Sequence, residues 1–165
     1  MHFIINIGEL LPQLWCKTLD CFSPDNKVTW EWGVLVDDVW TQHGAAVAKS
    51  ARFLPTSFDR PPRDPALKLH SGYKAIELLH CLFGLAPGLL YGVLPDPYYK
   101  NFCQLVQAIQ LLQEPRISYT NLCQGHLMAL SFTQDFEVLY YQQRIEHIHF
   151  VWHSIHSLVH MAPET

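Results

Sequence analysis

The sequence is poor in charged side chains, which make up 16% of its 165 residues, and its net charge is −4. A nucleic-acid-binding domain usually carries an excess of Lys and Arg, so the chain as a whole lacks that electrostatic signature. Hydrophobic residues account for 49%, which excludes disorder and predicts a buried core. Because the first residues contain no basic segment and reach an acid at Glu9, we expect an intracellular protein, nuclear or cytoplasmic, and not a secreted one.

The motifs that mark common catalytic and binding sites are also missing. The five cysteines are odd in number and form no C-x-x-C pair, so they suggest neither a disulfide framework nor a zinc ribbon. No G-x-S-x-G, H-E-x-x-H, P-loop or G-x-G-x-x-G string occurs. The sequence therefore predicts no enzymatic activity of its own, no cofactor and no small-molecule substrate.

A long apolar run from residue 78 to residue 94 raises the question of a membrane span. Gly84, Pro87, Gly88 and Gly92 interrupt it, and it is shorter than the ~20 residues that cross a bilayer. We expect two short buried elements joined by a turn at residues 86–88, and no membrane association.

Helical periodicity dominates the rest of the chain, and no convincing strand pattern occurs. The clearest case begins at Asp96-Pro97, an N-cap acid followed by proline, after which apolar residues recur with helical spacing. We predict an all-α fold, an irregular bundle of about five to six helices with a Pro-rich connection. The predicted helices cover residues 3–22, 34–51, 72–84, 96–114, 118–141 and 146–161.

Charge and proline content divide the chain into three parts. Residues 1–53 form a helical segment, residues 54–70 a Pro-rich basic linker, and residues 71–165 a helical bundle, all within one compact unit. Residues 49–74 carry six basic and two acidic side chains between two acidic blocks. The candidate contacts to a nucleic-acid backbone are Arg60, Arg63, Lys68 and Lys74. The alternative is a solvated linker whose basic groups pair with Asp59 and Asp64.

Four histidines share one face of the predicted last helix: His149, His153, His156 and His160. Neighbouring histidines in this stripe have the spacing to chelate one ion, and the candidate ion is a structural zinc. The helix itself can offer only two ligands to any one metal. A third ligand would have to come from elsewhere, and the candidates are His80, Cys81, Cys123, Asp135 and Glu137. The alternative is a polar flank beside the apolar arc that faces the core.

Several strings resemble a helical region of fungal transposase proteins from CACTA-type DNA elements. They are residues 57–63, 71–75, 90–95, 99–106, 136–140, 149–151 and 155–164, together with Trp30-x-Trp32 leading to residues 43–48. The resemblance covers nearly the whole chain and implies a larger polypeptide with an RNase H-like core that uses metal-binding carboxylates. None of those carboxylates matches here. Asp37 and Asp38 are adjacent, so on a helix they diverge by about 100° and make a poor metal site.

Three hypotheses about function follow. The first is a non-catalytic accessory segment of a transposase-like protein, which packs against the missing parts of that protein or against itself and binds DNA at most weakly. The second is a stand-alone helical protein-interaction module, suggested by the low charge and the high aromatic content. The third is a small metal-dependent hydrolase built on the histidine stripe.

Overall fold

The structure is a computed structural model that describes residues 2–55, 60–68 and 72–160, without the side chains of residues 2–4 and 68. Within these residues the fold is all-α and contains no strand, as predicted. The described part of the chain contains eight α-helices, more than the five to six expected: α1 His2–Trp15, α2 Asp37–Ser50, α3 Pro65–Lys68, α4 Ala75–Leu79, α5 Ala86–Leu89, α6 Asp96–Leu112, α7 Tyr119–Phe136 and α8 His153–Ser157. No helix in the described part of the chain has the length and apolar character to cross a membrane.

The first helix ends at Trp15, seven residues before the predicted end. Lys17 adopts a left-handed conformation with φ of 57°. The backbone N–H of Thr18 donates to the carbonyl of Gln13 at 2.9 Å, and that of Lys17 to the carbonyl of Leu14 at 3.2 Å. This pair of bonds is a Schellman motif, which satisfies the last carbonyls and turns the chain away. Residues 19–36 consequently form a loop with one short 3₁₀ turn, Lys27–Thr29.

The apolar run forms one nearly continuous helical stretch, so the turn predicted at residues 86–88 is wrong. A π-helical segment, His80–Leu85, joins α4 directly to α5. Pro87, which has no backbone N–H to donate, is the second residue of α5 and follows the π-helical segment directly. The wider π turn accommodates the proline without a break.

Helices α6 and α7 form an antiparallel hairpin that carries much of the core. The helix α6 begins at Asp96, where the predicted range starts, but its N-cap is Pro95 and not Asp96 as predicted. The helix α7 is capped as predicted, because Ser118 Oγ accepts a hydrogen bond from the N–H of Asn121 at 3.1 Å. Asn101 Nδ2 donates to the carbonyl of Phe132 at 2.9 Å between the two helices. A second π-helical segment, Glu137–Tyr141, extends α7.

The core is an aromatic cluster between α1, the hairpin and the C-terminal segment. Its largest fully buried side chains are Trp15, Trp32, Phe102, Phe132, Phe136, Tyr140 and Phe150. Their rings meet mainly edge to face, as in the pair of Trp15 and Phe102 at 5.2 Å between centroids. At its centre the indole Nε1 of Trp15 donates to the hydroxyl of Tyr140 at 3.0 Å.

The predicted helix over residues 146–161 is wrong. A 3₁₀ helix, Ile145–Phe150, is followed by two non-helical residues, then by α8 and a 3₁₀ turn, Leu158–His160. The break at Val151 and Trp152 lets Phe150 enter the aromatic core while α8 packs on α1. Packing outside the segment thus decides where the helix stops.

Candidate functional site

The basic residues of the Pro-rich segment are placed around one buried acid. Glu77, whose side chain is completely buried, accepts hydrogen bonds from Arg63 Nε at 2.6 Å and Arg63 Nη2 at 2.8 Å. It also accepts from the backbone N–H of Lys74 at 2.9 Å. The hydrogen bonds from Arg63 lower the pKa of Glu77 despite its burial. The charge of Arg63 is therefore matched within the chain.

The other predicted nucleic-acid contacts differ in their surroundings. The side chains of Arg60 and Lys74 are exposed. The carbonyl of Arg60 lies 3.1 Å from His80 Nδ1, and the guanidinium contributes to the lowered pKa of Glu77. The side chain of Lys68 lies outside the described residues. The structure thus brings Arg60, Arg63 and Lys74 to one surface, with Glu77 beneath it.

The histidine stripe does not form, because the helix that would carry it is interrupted. His149 Nε2 lies 2.8 Å from the carbonyl of Asp20, and its ring packs against Phe22. His153, His156 and His160 are exposed on the far side of the break. Across residues 2–55, 60–68 and 72–160, no three His, Cys, Asp or Glu side chains are grouped as metal ligands.

Three thiols, the buried Cys81 and the partly buried Cys16 and Cys21, lack the properties of nucleophiles. Burial raises the pKa of Cys16 to about 12 and that of Cys81 to about 11. Burial, followed by the hydrogen bond to Asp25, also raises the pKa of Cys21. A catalytic thiol requires the opposite shift, toward the thiolate.

A buried polar cluster that the sequence analysis missed joins the first loop to the C-terminal segment. The Asp25 side chain is 1% exposed, and its Oδ2 accepts from Trp30 Nε1 at 2.8 Å and lies 3.0 Å from His147 Nε2. Arg144 Nη2 lies 3.5 Å from the other oxygen, Oδ1. The Sγ of Cys21 is 3.5 Å from Oδ2. These groups come from opposite ends of the chain, and no local motif connects them.

The electrostatics of this cluster favour an ionised Asp25. Burial acts to raise the pKa of Asp25, but hydrogen bonds from Trp30 and from the backbone of Asn26 and the nearby charge of His147 outweigh it, so the pKa is lowered. His147 is itself completely buried, and its ring stacks on Phe150 at 4.5 Å between centroids. Since both partners are closed off from solvent, this arrangement holds the fold together and offers a substrate no access.

Several open grooves lie elsewhere on the described surface, and two of them are bounded by the helices of the bundle. One, of about 260 Å³, lies where α1 ends and α2 begins, with Asp37 and Trp40 in its wall. Another, of about 290 Å³, lies between α4 and α6 and has apolar walls that include Ile76, Phe83 and Ile109. The second groove includes His80, one of the candidate third metal ligands, but neither groove contains a histidine of the predicted stripe or a predicted nucleic-acid contact.

In comparisons with known proteins, no family model, no curated protein and no solved structure matches this chain.

Proposed function

We propose that this chain is a non-catalytic helical segment of a mobile-element, transposase-like protein, and that its role is assembly. It would pack against other parts of such a protein or against a second copy of itself, and it would act in the nucleus, where transposition takes place. The irregular bundle with its Pro-rich connection serves as a scaffold for that contact. The strings quoted in the sequence analysis support the family, and one surface feature supports the assembly role.

That feature is an exposed apolar ridge formed by Ile145 and Ile148. A 3₁₀ helix has three residues per turn, so residues three apart lie on the same face. Ile145 is 71% exposed and Ile148 is 56% exposed, whereas His147 and Phe150 share the buried face. Interaction surfaces are built from contiguous exposed apolar side chains, and we propose this pair as the centre of such a surface.

The position of the ridge agrees with this proposal. It lies between two of the resembling strings, residues 136–140 and 149–151, and the buried side chains of those strings hold it in place. Tyr140 and Phe150 are fully buried in the aromatic core. The residues that carry the resemblance therefore support the ridge from below. Burying one isoleucine side chain in a partner contributes about 1.5–3 kcal/mol.

Size-exclusion chromatography with light scattering, run over a range of concentrations, tests the assembly role. We expect concentration-dependent association that the double substitution Ile145→Ser, Ile148→Ser weakens without unfolding the chain, because both side chains are exposed. The matched control is Val28→Ser, which removes an apolar side chain that is 82% exposed in the first loop. It should associate like the unmodified chain.

A folded chain that remains monomeric at every concentration would contradict self-assembly through the ridge. It would favour the alternative of a self-contained interaction module that recognises an unrelated partner. Association that the Val28→Ser control weakens as much as the ridge variant does would indicate general stickiness and would also contradict the proposal.

A further inference from the structure

We propose that the outward face of α7 binds the same face of a second copy of this chain, as an antiparallel pair of helices related by a twofold axis. The inference rests on the assembly role proposed above, and it adds a second surface to the ridge of Ile145 and Ile148. An apolar stripe on α7 and the charges at the two ends of that helix carry it.

The apolar stripe runs along the solvent side of α7. Tyr119 is 82% exposed, Leu127 is 58% exposed and Cys123 is also exposed, while Leu130 is partly exposed. At 100° per residue these four side chains, the α7 stripe, fall within an arc of about 80° and extend over about 16 Å. Residues three and four apart are neighbours on a helix surface, so the stripe is continuous.

Another side of α7 is already packed in the core. Gly125, Ala129 and Phe136 are buried, and a Cβ at Gly125 would lie 2.8 Å from Leu112 Cγ of α6. A surface helix normally turns one apolar side to the core and a polar, charged side to solvent. The α7 stripe is therefore an apolar side that packing on the core does not require.

The lack of charge around the stripe favours a second copy as the partner. No Asp, Glu, Lys or Arg occurs between residues 119 and 134. The other long helices of the second half and centre, α2 and α6, expose charged side chains: Asp37, Asp38, Lys49, Asp96 and Lys100. In a twofold contact a residue near the axis meets its own copy, so a charge there would face a like charge. An uncharged centre removes that repulsion.

Charges of opposite sign lie just beyond the two ends of the stripe. Arg116, which precedes the cap residue Ser118, is exposed, and so are Asp135 and Glu137 at the other end. In an antiparallel pair, Arg116 of each copy lies near Glu137 of the other, so opposite charges meet twice. The positive N-terminus of each helix also lies beside the negative C-terminus of the other. A parallel pair would bring like charges together.

This charge pairing also determines the register. The twofold axis passes halfway between Arg116 and Glu137, at His126 and Leu127. Leu127 therefore lies at the centre of the contact, next to its own copy. A contact between two single helices is small for a protein interface, so we expect a reversible dimer that dissociates on dilution.

Sedimentation equilibrium of the full chain measures this dimer. We expect Leu127→Glu to raise the dissociation constant by ~100-fold or more, because each dimer loses two buried leucines and gains two like charges at the axis. The matched control is Val28→Glu, which adds the same charge at an apolar side chain that is 82% exposed in the first loop. It should dimerise like the unmodified chain. Equal dissociation constants for the two variants would overturn the inference.

The ridge variant Ile145→Ser, Ile148→Ser separates this inference from the proposed function. In that background only the α7 contact remains, so we expect a dimer that the further change Leu127→Glu dissociates. A ridge variant that is monomeric at every concentration would refute the α7 pair while the assembly role of the ridge stands. A ridge variant that associates like the unmodified chain, and loses association only with Leu127→Glu, would support the α7 pair and contradict the ridge.

Charge reversal tests the antiparallel arrangement. Arg116→Glu or Glu137→Arg alone should weaken the dimer by on the order of 10-fold at low salt, because two exposed ion pairs become like-charge pairs. The double variant should restore the affinity. Lys100→Glu, which reverses an exposed charge on α6, is the control and should have no effect. A double variant that dimerises as weakly as the single variants would refute the antiparallel pair.

Discussion

The hydrogen bond between Trp15 and Tyr140 is the most direct test of how the core is built. The substitution Tyr140→Phe removes one oxygen and leaves the shape of the ring almost unchanged. Trp15 is 1% exposed and position 140 is fully buried, so the indole N–H would lose its acceptor at 3.0 Å with no water to replace it. A buried donor left without a partner costs about 1–3 kcal/mol.

Thermal or urea unfolding measures this cost. For a chain of this length, 1 kcal/mol corresponds to about 2–4 °C, so we expect the melting temperature of Tyr140→Phe to fall by roughly 2–12 °C. Tyr91→Phe is the matched control, because Tyr91 is 76% exposed and the same change should have no measurable effect. A Tyr140→Phe chain that is as stable as the unmodified protein would refute the central role of this bond.

Three further predictions follow from the packing and the charges. Gly125→Ala should lower the free energy of unfolding by about 1–3 kcal/mol, because its Cβ would lie 2.8 Å from Leu112 Cγ between α6 and α7. The pKa of Glu77 is lower in the folded chain than its ordinary value of 4.5, so the ionised carboxylate stabilises the fold fully above pH 4.5. This stabilisation is lost as the pH falls through the lowered pKa. Glu77→Gln should therefore make stability depend less on pH in the acid range. If the basic surface binds DNA, replacing Arg60 and Lys74 by alanine should reduce the slope of log K against log salt concentration by about 1 per side chain.

Each of these predictions has a matched control. Gly84→Ala should be tolerated, because a Cβ there meets nothing within 4 Å. Glu137→Gln replaces an exposed acid and should leave the acid limb unchanged, and Lys100→Ala should leave the salt dependence of DNA binding unchanged. If a substitution and its control had equal effects, the explanation from the contacts or charge at the substituted site would be wrong. Arg63 is unsuitable for the DNA test, since its loss would leave Glu77 buried without its ion-pair partner.

Where local pattern and packing agree, the sequence predicted the structure well. The apolar spacing after Asp96 identified the buried face of α6, and Ser118 was correctly identified as the cap of α7. Both signals act within one or two helical turns, so neighbouring residues contain the necessary information. The all-α class follows from the same signals.

The errors fall where a distant contact overrides the local pattern. Lys17 ends α1 in a left-handed conformation that normally favours glycine, and it does so without a local sequence signal. The spacing of the four histidines predicted one face of a helix. Burial of Phe150 and the break at Val151 and Trp152 separate His149 from the other three.

The sequence by itself determined that this chain is helical, apolar in its core and without a recognisable catalytic motif. Only the tertiary structure decided that Arg63 pairs with Glu77 and that Asp25 meets His147. The physical reason is that periodicity reports which face of an element is buried, whereas the partner of a buried charge is chosen by how the elements pack. That choice depends on side chains far apart in sequence, and no pattern of neighbouring residues contains it.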